Sequence, residues 1–307
     1  MKLRPAGRGH GYSVWRALLE SVLGLAYRGD WPARLWSAIP RAGEVAVTRC
    51  RLTLPAKGSE PCRLAFVSDL HVGPTTPVPL LERTFEIIRR ERADVLLLGG
   101  DYVYLGAEPG RLAVLTRLVE SAACPVRIAV FGNHDLWTRD QSIAQALASA
   151  GVRALVNEVA PLPAPWADVA VVGLDDPWAG RCDAAVAAAQ LDGRPFRIVL
   201  CHSPDGLGFL SDLRFDLFLA GHTHGGQIAA PWGPIVLPHG RLCRQYPAGF
   251  ARHPSGVVFV SRGVGTVELP IRTFASPEVV LVDLLRPASP GPGAAKRSQA
   301  RLSQSSQ

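Results

Sequence analysis

Apolar positions along the chain fall into two kinds of run. Stretches of five or six residues, mostly apolar, recur at 63–68, 94–98, 126–131, 169–173, 197–201 and 215–220. Longer segments at 78–92, 111–122, 142–150 and 184–190 carry apolar residues at helical spacing. The first kind predicts buried strands and the second amphipathic helices. Their alternation predicts an α/β fold with largely parallel pairing. Further strands are expected over 45–54 and 153–156. Residues 228–284 change character. They are rich in Pro and Gly, with short β-like runs at 257–261 and 279–284, and suggest a second, more antiparallel sheet.

Upstream of this region, residues 13–27 read as a helix. Ser13 can cap it, and Val14, Trp15, Leu18, Leu19, Val22, Leu23, Leu25 and Ala26 form a broad apolar face. A second short helix is expected over 32–39. With Trp15, Trp31 and Trp36 nearby, this segment either lies on a membrane surface or packs against the core. Residues 1–11 are basic and Gly-rich and are expected to be unstructured. So is the Pro-, Gly-, Ser- and Gln-rich tail at 287–307. The expected organisation is a basic N-terminal segment (1–44), a main folded domain (45–286) and a tail (287–307).

At 307 residues, 48% hydrophobic and 19% charged, the chain can bury a full core. No apolar run reaches the 18–20 residues needed to span a bilayer, and no secretory signal is evident. The expectation is a cytoplasmic protein, with peripheral contact to the inner face of the cytoplasmic membrane as the variant. The formal net charge of +7 suits anionic partners such as phosphate esters or an acidic membrane. Six scattered cysteines without a CxxC pair suggest reduced thiols. Cys201, beside His202, reads as a strand residue in preference to a nucleophile.

The chemistry lies at the strand ends. Apolar runs are followed in turn by Asp69-Leu70-His71, Asp101, Asn133-His134-Asp135, His202 and His222-Thr223-His224. Asp69, Asp101 and Asn133 are each 32 residues apart, which suits successive βα units. Five of the eight histidines belong to this set. Singly, Asp69 could cap a helix, and Asp101 or Asn133 could sit in a turn; those readings do not explain why every cluster ends a strand. Carboxylate, imidazole and carboxamide together suit divalent manganese, iron or zinc. The donors are too many for one ion but enough for two. Two ions roughly 3.5–4 Å apart make a hydrolytic site for phosphate esters.

These blocks, with Gly100 before Asp101, Gly132 before Asn133 and Gly221 before His222, resemble the motifs of the calcineurin-like metallophosphoesterases over about residues 60–285. Finer features, Gly100-Asp101-Tyr102-Val103, Gly173-Leu174-Asp175-Asp176-Pro177, Gly221-His222-Thr223-His224-Gly225-Gly226-Gln227, Ser261-Arg262-Gly263-Val264-Gly265-Thr266 and Leu269-Pro270-Ile271-Arg272, are similar to the bacterial branch that includes the YaeI and YkuE phosphodiesterases and a UDP-2,3-diacylglucosamine pyrophosphatase of lipid A synthesis. The resemblance implies a four-layer αββα sandwich of two mixed sheets flanked by helices. It implies one divalent ion held by Asp69, His71, Asp101 and His224, and a second by Asp101, Asn133, His202 and His222. A metal-bridging hydroxide would attack phosphorus in line. His134 would stabilise the phosphoryl transition state or protonate the leaving oxygen, and Asp135 would orient His134 and favour its protonated form.

Two substrate classes follow: general phosphodiesters, and the pyrophosphate of a nucleotide-linked lipid. A nuclease and a non-catalytic metal-binding scaffold are the lesser alternatives. No aromatic-interleaved basic groove points to nucleic acid, and nothing points to a protein partner. Asp175 and Asp176, before Pro177, read as turn residues, with a rim or substrate-contact role as the alternative. Arg262 and Arg272 are open between phosphate contacts and ion pairs. Gln227 is expected to help hold the histidine loop.

Overall fold

The computed structural model describes residues 7–38, 43–54, 61–238 and 240–286, and the backbone of 301–305. Two large mixed sheets face each other. The first comprises β1 (Ala46–Thr53), β2 (Cys62–Val67), β3 (Val95–Leu98), β4 (Val126–Ala129), β5 (Arg153–Ala154), β14 (Glu278–Leu285) and β15 (Arg301–Ser305), in the order β15-β1-β14-β2-β3-β4-β5. β2 to β5 run parallel, β14 pairs antiparallel with β2, and β1 pairs parallel with β14. The second sheet comprises β6 (Glu158–Pro161), β7 (Val169–Gly173), β8 (Phe196–Leu200), β9 (Leu217–Ala220), β12 (Gly249–His253) and β13 (Gly256–Val260), in the order β12-β13-β9-β8-β7-β6. A two-stranded ribbon, β10 (Ala229–Ala230) with β11 (Gly233–Pro234), lies outside both.

Three apolar layers separate four layers of structure. Along β2, Leu64 and Phe66 enter the core between the sheets, where they meet Val169, Val171, Ile198, Leu200, Leu217 and Leu219. The alternate residues Ala65 and Val67 face the other way, toward α3 (Val78–Arg90), α4 (Pro109–Ser121) and α6 (Asp140–Ser149), through Phe85, Leu118 and Leu147. On the far side of the second sheet, Val172, Val199 and Phe218 pack on α7 (Ala184–Ala188) and on Leu207. Strands buried on both faces read as continuous apolar runs, which is why no polar alternation marks them in the sequence.

Apart from the two-stranded ribbon, residues 228–284 do not build a sheet of their own. β13 joins β9 in parallel, and β14 crosses back to the middle of the first sheet. β12 with β13, the small ribbon, and β14 against β2 pair antiparallel as expected there. Sequence shows where a strand is; it does not show which open edge receives it.

Both ends are more ordered than composition suggests. Most of the expected tail lies outside the described residues, but 301–305 pair antiparallel with β1. Backbone hydrogen bonds to an open edge need no apolar side chains. At the other end, residues 1–6 lie outside the described set, while 8–12 form a strap. Gly9 N donates to Leu136 O, His10 N donates to Ala179 O, and Arg8 makes two 2.7 Å hydrogen bonds with Asp175.

The strap leads into α1 (Val14–Ala26), with Ser13 as its cap, and then α2 (Trp31–Ala38). Trp36 is buried in the core. The apolar face of α1 does not pack inward. Trp15 is 80% exposed, and Val14, Leu18, Leu19, Val22 and Leu25 are exposed as well, while Arg16, Ala17 and Glu20 face the protein.

Candidate metal centre

Every cluster singled out from the sequence lies just past the carboxyl end of a parallel strand. Asp69 follows β2, Asp101 follows β3, Asn133 follows β4, His202 follows β8 and His222 follows β9. The two sheets deliver these ends to one rim, the usual ligand-binding edge of such folds. The local backbone is unusual. Asp69, His71, Asp101, His222 and His224 all have left-handed φ angles, between 45° and 69°. Non-glycine residues adopt that region rarely, and it clusters where function holds it in place. Neighbouring glycines make the close approaches possible. A Cβ on Gly221 would lie 2.2 Å from Asp69 Oδ2, and one on Gly132 would lie 2.2 Å from Asp101 Oδ1.

Two groups of donors result. Asp69, His71 and His224 form one, and Asp101, His202 and His222 the other; within each, the ligand atoms lie within 4.8 Å of one another. In the first group the imidazoles of His71 and His224 stack at an interplanar angle of 16°, with Nε2 atoms 3.2 Å apart. In the second, Nε2 of His202 lies 3.2 Å from Nδ1 of His222. Asp101 Oδ2 lies 3.6 Å from Nε2 of His71 and 3.2 Å from Nε2 of His202, so one carboxylate reaches both groups. Asn133 Oδ1 is buried and finds no hydrogen-bond partner among the described residues. Leaving such an atom unmet costs about 1–3 kcal/mol. Facing ring nitrogens, a shared carboxylate and an orphaned amide oxygen are the donor set that a pair of divalent cations requires.

Electrostatics suits that role. Burial pushes the pKa of His71 down to about 4 and that of His222 to about 3, and holds His224 well below the ordinary range. These rings are therefore neutral, as ligation demands. His202 donates from Nδ1 to Gly99 O at 2.8 Å, which turns Nε2 toward the site. Burial opposes charge on His202, but the Asp101 carboxylate outweighs it and holds this pKa well above normal, so the Nε2 proton is one that a bound cation would displace. Burial likewise raises Asp69 to about 6.

His134 lies at the mouth, edge-on to His71, Tyr104 and Trp137 at 5.1, 5.5 and 5.7 Å between ring centroids. Its pKa is depressed by burial, against the pull of Asp101, and Arg16 lowers it further. The expected pairing with Asp135 is not what the structure contains. Asp135 accepts from the backbone N–H groups of Asp101, Tyr102 and Gly132 at 2.7–2.9 Å. It sits in the first turn of α5 (Asn133–Thr138), where a carboxylate naturally folds back on the helix start. Its role is to knit the Asp101 and Asn133 loops together. What meets the Nε2 of His134 is Arg16, whose Nη2 donates across 3.2 Å.

The undecided residues resolve in the same way. Asp175 anchors the Arg8 strap, and Asp176 accepts from Trp178 N and Ala179 N. Arg262 pairs with Glu278 at 2.9 Å. Arg272 is bound to the carbonyls of Arg262, Gly265 and Ala275 and lies 3.0 Å from His224 Nδ1, behind the histidine loop. Gln227 ties that loop to Val267 and Leu269, as expected. Cys201 is fully buried against the second sheet, and burial raises its thiol pKa well above normal. Sequence reading missed Tyr104, Trp137, Trp178 and Arg16 as the collar of the site; Trp178 leans on His222 at 4.9 Å. The available signal was Arg16 and Glu20, an i,i+4 pair interrupting an otherwise apolar helix.

A sheet-end cluster of this composition is the hallmark of dimetal hydrolases of phosphate esters. The chain belongs to the calcineurin-like phosphoesterase family, whose model matches residues 62–226. It is 31% identical to the phosphodiesterase YaeI of Escherichia coli, over 79% of this chain and 89% of that protein. It is 27% identical to the metallophosphoesterase YkuE of Bacillus subtilis, over 80% and 86%. It is 26% identical to the UDP-2,3-diacylglucosamine pyrophosphatase LpxG of Chlamydia trachomatis, over 82% and 92%. The protein is thus a metallophosphoesterase, a metal-dependent hydrolase with two groups of candidate ligands.

Proposed function

We propose that the chain is a dimetal phosphodiesterase. Asp69, His71, Asp101 and His224 would hold one divalent ion, and Asp101, Asn133, His202 and His222 the other, with manganese, iron or zinc as the metals. The observation that carries this reading is the reach of Asp101 into both donor groups. When bound, the two ions supply a nucleophile from water at neutral pH and neutralise charge on the phosphate. The chain's own residues do the rest. The neutral imidazoles keep their lone pairs available, and Asp135 holds the loops of Asp101 and Asn133 in register. His134 stands at the mouth to meet a phosphoryl or leaving-group oxygen. The aromatic collar of Tyr104, Trp137 and Trp178 restricts water.

A second substrate reading, a nucleotide-linked lipid cleaved at its pyrophosphate, is favoured by one feature. The outward face of α1 is apolar, and residues 1–44 carry seven Lys or Arg against three Asp or Glu. Apolar residues beside a basic segment suit an anionic lipid surface. Leu269, next to the Glu268 that α1 holds, is exposed as well. No helix among the described residues is long and apolar enough to cross a membrane, so contact would be peripheral.

A substrate panel on metal-loaded protein tests both readings: an aryl phosphodiester, an aryl phosphomonoester and UDP-2,3-diacylglucosamine, with product masses read. Aryl diester turnover alone supports the general phosphodiesterase. Release of UMP and a lipid phosphate at a much higher rate supports the lipid reading. No turnover of any of the three with two metals bound would refute both.

A further inference from the structure

We propose that Arg16, carried on α1, is a substrate-binding residue: its guanidinium takes a non-bridging phosphate oxygen at the position that His134 faces. This inference rests on the reading of the site as one for phosphate esters.

The geometry is specific. Arg16 Nε donates to Glu20 Oε1 at 2.8 Å, and Nη1 donates to Glu268 Oε1 at 2.8 Å. Nη2 reaches the Nε2 of His134 at 3.2 Å, and the guanidinium lies 5.7 Å from the Trp137 ring centre. The side chain is only 21% exposed, although it belongs to a surface helix whose apolar residues point to solvent. A guanidinium has five N–H groups. Three are engaged by described residues, which leaves one N–H on Nη1 and one on Nη2.

Anchoring α1 does not require this arrangement. Tyr27 Oη already donates to Glu268 O at 2.6 Å, and the strap at 8–12 holds the preceding residues. Two carboxylates hold the Arg16 charge at Nε and Nη1, while Nη2 meets the His134 ring. A cation held by acids and presented beside a histidine at a phosphoester site is suited to the anionic oxygens of a phosphate, which Arg can engage bidentately and Lys cannot. On this account α1 completes the site: its inner face supplies a phosphate ligand that none of the strand-end motifs contains.

The test uses full-length, metal-saturated protein and inorganic phosphate as the probe, titrated by calorimetry. A hydrogen bond to a charged group is worth enough to change affinity about ten- to hundredfold, so Arg16→Ala should weaken phosphate binding by that factor. Arg16→Lys should recover part of it. Tyr27→Phe removes another tie of α1 without touching the guanidinium and should bind phosphate as the parent does. In parallel, Arg16→Ala should raise KM for the aryl diester. Unchanged phosphate affinity in Arg16→Ala would overturn the assignment, as would an equal loss in Tyr27→Phe, which would make helix position the cause. If the parent protein cleaves no ester while phosphate binding still depends on Arg16, the phosphodiesterase reading falls and the subsite stands.

Discussion

His71 and His224 present their Nε2 atoms to each other across 3.2 Å, with their rings nearly parallel and both buried. Two neutral imidazoles at that separation can share at most one N–H···N hydrogen bond, whereas a cation can take a lone pair from each ring. The arrangement is therefore one that a cation stabilises. Because a ligand that binds only the folded state stabilises it by about 2.7 kcal/mol at a hundred times its Kd, chelation should lower the unfolding midpoint. Manganese or zinc should restore it in a concentration-dependent way. Thermal melts before and after chelator dialysis check this; identical melts would count against a metal centre.

Asp101 is the residue on which both donor groups converge. Asp101→Asn should reduce bound metal below two per chain by elemental analysis. It should also cut diester hydrolysis at least roughly a thousandfold, since a catalytic metal supplies several kcal/mol and each ~1.4 kcal/mol is tenfold. Retained stoichiometry and activity would remove Asp101 from the shared position.

Gly221 lies where a Cβ would sit 2.1 Å from Ser68 Oγ and 2.2 Å from Asp69 Oδ2. Gly221→Ala must push the histidine loop off the β2 end. Overpacking of this kind costs about 1–3 kcal/mol, and it should fall on Asp69 and His222, whose N–H donates to Asp69. The denaturant midpoint and metal affinity should drop together. A stable variant that loses neither would show that the loop yields freely.

Burial pushes the pKa of Asp176 up to about 7, above an unfolded value of about 4. Its protonated form therefore contributes stability that is complete below pH ~4 and lost as pH rises through 7. Asp176→Asn should remove that component. Between pH 5 and pH 8 its urea midpoint should fall less than the parent's. The difference is a few kcal/mol at most, with one pKa unit worth about 1.4 kcal/mol. Parallel curves for the two proteins would contradict the assignment.

Much of the site was legible in the chain. Asp69, Asp101, Asn133, His202, His222 and His224 each follow an apolar run, and a strand buried on both faces leaves such a run and ends in polar residues. The α/β class followed from the same periodicity. Contacts between segments distant in sequence were not legible. Whether residues 257–260 and 278–285 make a separate sheet or extend existing ones depends on which edges stand open, and that is decided only when the layers assemble.

Asp135 and α1 mark the same boundary. The position of Asp135 one residue after His134 suggests a pair, yet a carboxylate in the first turn of a helix is drawn to backbone N–H groups, and the fold places those of Asp101 and Tyr102 within its reach. In α1 the apolar stripe predicts the buried face, but the space beside the candidate metal centre accepts Arg16 and Glu20 because Glu268, Tyr12 and His134 offer them partners there. Sequence by itself determined which donor types end which strands, because both are local properties of the chain. The tertiary structure decided which polar groups face one another, because an ion pair or hydrogen bond between Arg16 and residues 118 and 252 positions away exists only once both have been brought to the same place.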